Sequence, residues 1–527
     1  MRLNHRLTWA HRALLCALLS LTPCAHASWT MAEATHVVVF GEADAQALRQ
    51  RVRTLERFHA LLEYIIPGDT DVARPRHTLF LVHDAAGFQR ALPASNAFTT
   101  ASYATTIDGS VALALTRNAH FEEDDDALMR QFALHFMRER TRVPLPSWAV
   151  IGLSQYFSTV EVDGERVAIG KASNRHEADV ELTWISMARL LTADPLLLRL
   201  DEQAPYRGQS WLLIHYLFHD AARWTAAHGL FTALRAGVPA ENAVQQSLGM
   251  SLGRLRQELE RYALRGLKYT LFDLPLPEPV ITTTALPPSA DALLLDSVGL
   301  AFAQIEPAAV ARLQAGATRF SGDTFALELA ARADVAAGEG RSALARIAPL
   351  LGDGATPQHN YIAATAYLAL AHSATSPDEQ EEAFVTAGNL LARVIRADER
   401  SYSALYRYYK VRTRREPVPD AALQDVLVRA YELSPRTPQI AIELGVMLLR
   451  VERLQEARTV LEFLASDPLA EAQRTTAKRL LELIAHLAPG QRPTTAELDA
   501  ATSALGSATG IDMSTSISNG ACVKCAE

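Results

Sequence analysis

LMRQFALH, at residues 128–135, and PSWAVIGLSQYF, at residues 146–157, are the most informative stretches of this sequence. Leu, Met, Ala, Gln and Arg favour helices, so the first stretch predicts a helix over residues 127–139. Five acidic residues at 122–126 precede it, where they favour the positive end of its dipole and form a solvated cap. Pro144 and Pro146 separate it from a second helix, predicted over residues 148–159.

Strand and helix patterns are mixed around this helix pair. Apolar and β-branched runs predict strands within residues 36–40, 78–82 and 106–115. Asp163-Gly164, between two short strand patterns, predicts a β-hairpin over residues 161–169. Helical patterns occupy residues 44–65, 179–191, 208–220, 224–236 and 252–267. The mixture predicts an α+β domain over residues 33–268.

A cluster of prolines marks the end of this domain. Prolines at high density interrupt both helices and sheets, so we predict a linker and domain boundary over residues 269–290. The residues concerned are Pro275, Pro277, Pro279, Pro287 and Pro288.

Beyond the linker, residues 291–488 are rich in Ala and Leu and carry a helical period without strand patterns. Part of this segment follows the 34-residue tetratricopeptide pattern, which predicts an all-α solenoid of about five helix pairs. Gly445 and Ala457 are small enough to let the paired helices approach closely. A generic helical bundle is the alternative. The phased positions are Leu427, Ala430, Pro435, Leu444, Gly445, Leu448, Ala457 and Leu461.

The first 27 residues have the pattern of a secretory signal peptide. Arg2, Arg6 and Arg12 precede or flank an apolar stretch at residues 13–21, and Ala25-His26-Ala27 is a small-x-small cleavage pattern. We therefore expect the protein in the periplasm or secreted.

The cysteines do not indicate a disulfide-stabilised fold. Cys16 and Cys24 lie in the predicted signal, which leaves Cys522 and Cys525 in a tail, residues 489–527, that is predicted to be disordered. Two cysteines cannot complete a four-ligand zinc site by themselves, so a local disulfide or no role is expected.

The helix pair at residues 127–159 resembles that of gluzincin zinc peptidases. In that family an H-E-x-x-H helix supplies two zinc-binding His residues and a water-activating Glu, and the following helix supplies a third ligand. The stretch 128–135 resembles the first helix, and Pro146, Trp148, Gly152, Tyr156 and Phe157 match the framework of the second. The resemblance extends through the hairpin and a later helix to about residue 268, and it implies a gluzincin-like domain.

The catalytic groups of that family are missing from the matching positions. Gln131 stands at the first zinc His, and Phe132 stands at the water-activating Glu. Ile151 replaces the third ligand and Gln155 replaces the next acid, whereas His135 is retained as the second His. The resemblance therefore implies a peptidase-like domain without catalytic residues, resident metal or other cofactor.

Other residues could provide a different metal site. His215 and His219 have the i, i+4 spacing of two zinc ligands, and either could act with His135 in a peptidase with non-standard ligands. Aromatic neighbours make them more typical of buried, hydrogen-bonded histidines. Gln131, His135 and Glu139 share a helix face, for which a polar surface stripe is the simpler interpretation.

Composition and charge narrow the function further. A net charge of −8 argues against nucleic-acid binding, and no apolar run reaches the roughly 18 residues of a membrane span. We expect a protein-binding or scaffold protein that contacts a protein or peptide through its helical repeats. A zinc metallopeptidase with unrecognised ligands is the alternative, and only that alternative requires zinc.

Overall fold

The computed structural model describes residues 29–66, 74–95, 101–116, 122–140, 145–415, 418–467, 471–487 and 491–502. The predicted signal peptide and both pairs of cysteines lie outside these residues. In the described part, strands β1–β9 are Thr30–Glu33, Val37–Gly41, His77–Val82, Ala101–Thr106, Gly109–Leu115, Glu161–Asp163, Arg166–Ile169, Thr270–Asp273 and Thr282–Ala285.

Helices α1–α10 accompany the strands. They are Ala45–Ile65, Ala85–Ala91, Glu122–Arg140, Ser147–Ser158, Asn174–Glu181, Met187–Thr192, Leu200–Phe218, Ala221–Arg235, Ala240–Leu248 and Leu252–Leu264. Helices α11–α22 follow the last strand. They are Pro288–Ala301, Pro307–Arg319, Thr324–Ala336, Gly340–Ile347, Pro357–Ser373, Pro377–Ala397, Tyr402–Thr413, Ala421–Leu433, Pro438–Arg450, Leu454–Ala465, Glu471–His486 and Thr495–Thr502.

The N-terminal α+β region is built on a mixed six-stranded sheet with the order β4-β5-β3-β2-β1-β9. β2 and β3 are parallel, with Val37 opposite His77, and β3 is also parallel to β5. The remaining neighbours are antiparallel. α1 connects β2 to β3, as a parallel pair requires a crossover.

Helices cover both faces of this sheet. On one face, Val39 and Leu79 share a core with Phe58 of α1 and with residues of α3, α4 and α7. On the other face, Phe80 and Val82 pack with side chains of α2 and α11. The run of helices therefore begins as part of the N-terminal core.

The proline-rich segment at residues 269–290, predicted as a linker, contains two paired strands. β8 extends a second sheet of order β6-β7-β8, and β9 pairs with β1 at the edge of the large sheet. Pro275, Pro277 and Pro279 lie between these strands, where they interrupt no ladder. The prolines thus mark the connection between two strands, and the strands form because they pair with distant parts of the chain.

Several predicted elements occur with shifted bounds. The helix predicted over residues 179–191 is divided into α5 and α6, and the acidic residues 122–126 lie within α3 rather than ahead of it. β1 and β4 were not predicted. The tail predicted from residue 489 contains α22, where Leu498 and Ala501 are buried, whereas residues 503–527 lie outside the described residues.

Small residues determine two close helix contacts. A Cβ added to Gly152 of α4 would lie 2.4 Å from the carbonyl oxygen of Ser210 on α7, so only glycine permits this approach. A Cβ added to Gly445 of α19 would lie 2.7 Å from Cδ2 of Leu461 on α20. The second contact is the close approach of paired helices that the repeat phase predicts.

None of the described helices combines the length and the apolar composition that crossing a bilayer would require.

Candidate functional site

The positions that the sequence analysis aligned with peptidase active-site residues lie on the packed helices α3 and α4. Phe132 is only 1% exposed, and Gln131, His135 and Gln155 are also buried. Ile151 is partly buried and packs against the main core. These side chains therefore belong to the interior rather than to an open cleft.

An aromatic cluster surrounds Phe132. Its ring centroid lies 5.9 Å from that of Phe58 and 6.2–6.3 Å from those of His59, His77 and His135. A carboxylate here would be desolvated among rings, whereas a phenyl group fills the space. Phe132, which the sequence analysis aligned with the water-activating Glu, thus occupies a packed interior position.

His135 is held by hydrogen bonding and stacking. Its Nδ1 lies 3.2 Å from the hydroxyl of Tyr103, and its ring stacks on His77 at 3.9 Å. Nδ1 of His77 in turn lies 3.1 Å from Oγ of Ser110. Burial lowers the pKa of His77 to about 3, and burial is also the main reason that the pKa of His135 lies well below its usual value. Both rings are therefore neutral near pH 7.

Gln155 has a local structural partner. Its Oε1 lies 3.2 Å from Nε2 of His176, and the His176 ring stacks on Trp211 at 4.4 Å. Gln155 thus joins α4 to α5 and α7. Ile151 offers no donor atom, and Oε1 of Gln131 is buried without a hydrogen-bond partner. The residues at these positions do not fit a zinc ion, because the retained His135 is accompanied by an amide, a phenyl ring and an alkyl side chain.

The alternative ligand His215 is already hydrogen-bonded at both nitrogens. Nδ1 lies 2.8 Å from the Tyr262 hydroxyl, and Nε2 lies 2.9 Å from the Gly170 carbonyl oxygen. His219, one turn later, is exposed. To bind this buried side chain, a metal would have to displace the hydrogen bond that the ligating nitrogen already makes.

Gln131, His135 and Glu139 do not form the surface stripe that their spacing suggested, because all three are buried. The helices that follow β9, α11–α22, form a helical run that covers the end of α3 carrying these residues. Nη1 of Arg138 lies 2.6 Å from Oδ1 of Asp467, which follows α20, and Nε of Arg436 donates to the Arg138 carbonyl at 3.1 Å. Helical periodicity identifies a polar face, but it cannot reveal that residues some 300 positions later in the chain bury this face.

Further contacts fix the helical run to the turn between β4 and β5. Nη2 of Arg407 on α17 lies 3.0 Å from Oδ1 of Asp108, and the Tyr402 hydroxyl donates to the Thr106 carbonyl at 3.0 Å. Burial raises and the Arg407 guanidinium lowers the pKa of Asp108, with a net decrease. Tyr361 also contacts Asp108. Two further contacts join the helical run to other parts of the N-terminal region: Arg474 contacts Asp194, and Arg74 donates to the carbonyl of Glu432.

One group of potential metal ligands was missed by sequence reasoning. His36, His59 and Glu63 each place one ligand atom within 4.8 Å of the others, and they form the only such group of three or more His, Cys, Asp or Glu residues in the described parts of the chain. The signal available in the sequence is the i, i+4 spacing of His59 and Glu63 on α1. His36 is separated from them by a strand and could not be assigned by spacing.

Comparison with known proteins gives no relative: no family model, no curated protein and no solved structure matches the chain.

Proposed function

We propose that this chain is a protein-binding or scaffold protein with a gluzincin-like N-terminal domain that lacks hydrolytic chemistry and a tetratricopeptide-like helical domain. The observation that carries the proposal is the environment of Phe132. The residue at the position of the water-activating Glu is a buried phenyl group among four other rings. No base could act there without rebuilding the core.

The packing order of the helices supports the tetratricopeptide-like assignment. In the run after β9, successive helices contact one another, and helices two apart also pack, as α11 does on α13, α13 on α15 and α19 on α21. Stacked helix pairs give this pattern of neighbour and next-neighbour contacts. The close contact of Gly445 with Leu461 adds to it.

The contacts between the two regions restrict where a partner can bind. The face that carries Tyr361, Tyr402, Arg407, Arg436 and Asp467 is occupied by the chain's own β4–β5 turn and α3. A protein or peptide partner of the helical domain therefore binds to another face, or it displaces the N-terminal region from this one.

The proposed compartment follows from the signal-like N-terminus, and an extracytoplasmic partner is proposed with it. A peptidase using His135 with His215 or His219 is the less favoured function, because both nitrogens of His215 already have hydrogen-bond partners.

Restoring the missing ligands tests the gluzincin-like assignment. The double substitution Gln131→His and Ile151→Glu should add one Zn²⁺ equivalent to the chain, because His135 would then have an i, i+4 partner and a carboxylate from the next helix. Phe132 stays unchanged to preserve the core. Isothermal titration calorimetry measures the stoichiometry.

The matched control is Gln131→His with Ile151→Gln, which has the same size but no added charge. We expect the control to bind less Zn²⁺ than the double variant by one equivalent. Equal stoichiometry in the two variants would show that α3 and α4 do not correspond to the zinc-binding helices of the family.

A further inference from the structure

A histidine pair and a carboxylate meet near the C-terminal end of α1, and none of the three stands at a position aligned with a peptidase ligand. We propose that His36, His59 and Glu63 bind a divalent transition-metal ion such as Zn²⁺. Each side chain contributes one ligand atom, and the three atoms lie within 4.8 Å of one another. Two imidazoles and one carboxylate are a ligand set that zinc uses in proteins, with water at the remaining position.

Secondary structure positions the three ligands independently of any ion. His59 and Glu63 are one turn apart on α1, so their side chains share a face, and Nδ1 of His59 lies 3.7 Å from Oε2 of Glu63. His36 precedes β2, and its ring stacks on His59 at 3.6 Å with an interplanar angle of 12°.

Glu56 fixes His36 in the form that a metal requires. Oε1 of Glu56 accepts from the His36 backbone N–H at 2.8 Å, and Oε2 lies 2.7 Å from Nδ1 of the His36 ring. When Nδ1–H donates to a carboxylate, Nε2 carries the lone pair. A carboxylate behind a ligating histidine is the usual outer-shell arrangement of protein metal sites.

The second, independent observation is a polar atom without a partner. His59 is 7% exposed, and its buried Nδ1 has no hydrogen-bond partner. Buried polar atoms in folded proteins are normally satisfied by protein, water or an ion. Zinc–nitrogen bonds are 2.0–2.1 Å long, so metal binding would turn the two imidazoles out of their parallel stack until their lone pairs converge on the ion.

Charge and access are consistent with a cation at this point. Glu56 and Glu63 supply two carboxylates against one guanidinium, that of Arg140, which contacts Oε1 of Glu63 and leaves Oε2 facing His59. The side chains of His36 and Glu63 are each 33% exposed, so an ion can enter from solvent. Phe132 and Phe136 of α3 pack edge-on against the His59 ring.

The test is a Co²⁺ titration of the untagged full chain after chelator treatment, followed by visible absorption, with Zn²⁺ as a competitor. We expect one equivalent to bind and to give the intense absorption of a low-coordinate Co²⁺ site. Glu63→Gln keeps the size of the side chain, and His36→Ala changes a partly exposed one. Each should weaken binding on the order of 10–100-fold or more.

His228→Ala is the control, because His228 is an exposed histidine on α8. Its affinity should equal that of the unaltered chain, and circular dichroism should show that each variant is folded. The absence of stoichiometric binding, or folded Glu63→Gln that binds like the unaltered chain, would overturn the proposal. If His36→Ala does not fold, the Glu63→Gln result decides alone.

Discussion

Replacing Phe132 by Ala should lower the free energy of unfolding by about 3–5 kcal/mol, the usual cost of removing a fully buried phenyl ring. The side chain is 1% exposed and contacts Phe58, His59, His77 and His135. Its removal would leave a cavity between α1, α3 and the sheet. His77 and His135 stack on one another, which limits how far these two rings can move into the cavity. Urea unfolding followed by circular dichroism measures the difference.

Tyr64→Ala provides the matched control, since it removes an aromatic side chain from α1 that is 66% exposed. Its effect should stay within about 0.5 kcal/mol. A similarly small effect for Phe132→Ala would mean that position 132 faces solvent or a preformed cleft. That result would contradict the proposal that a phenyl group fills the position aligned with the water-activating Glu.

The second large effect is expected at Asp467, whose side chain is 0% exposed. Asp467 lies 2.6 Å from Arg138 of α3 and 3.8 Å from Arg436, and both arginines are buried. Asp467→Asn would remove the carboxylate that faces two buried guanidinium groups. Breaking a buried ion pair from one side costs about 3–5 kcal/mol, and this pair also joins the helical run to the N-terminal region.

The control is Asp201→Asn at an exposed ion pair. Asp201 and Arg199 are 3.0 Å apart with side chains 70% and 72% exposed, so the pair should contribute about 0–1 kcal/mol. Equal melting temperatures for the two variants would show that Arg138 and Asp467 are not buried together. The helical run would then not cover α3 as described.

Sequence patterns predicted the helices and strands that are determined by residues close together in the chain. The helices α1, α3 and α4 and the β6–β7 hairpin have sequences with a clear period or turn signal, and each occurs within a few residues of its predicted place. β1 (TMAE) and β9 (TTTA) are short and weakly apolar, and they form because β1 pairs with both β2 and β9. Such pairing between strands some 250 residues apart has no local signature.

In the candidate site, too, the local features were predicted and the long-range contacts were not. Sequence reasoning placed Gln131, Phe132 and His135 on one helix, because their spacing is a local property. It did not foresee that the polar face of this helix would be buried, since Asp467 and Arg436 are brought there by the chain's tertiary structure. The group of His36, His59 and Glu63 was missed for the same reason, because two separate elements supply its ligands.

We propose that α3 and α4 keep the framework of a hydrolytic domain without its reactive groups. The most direct test incubates the purified, untagged chain with an unfolded polypeptide substrate and Zn²⁺, with and without a chelator, and follows new amino termini. We predict no cleavage above the buffer control and no effect of the chelator. Chelator-sensitive cleavage that is lost in His135→Ala would contradict the claim.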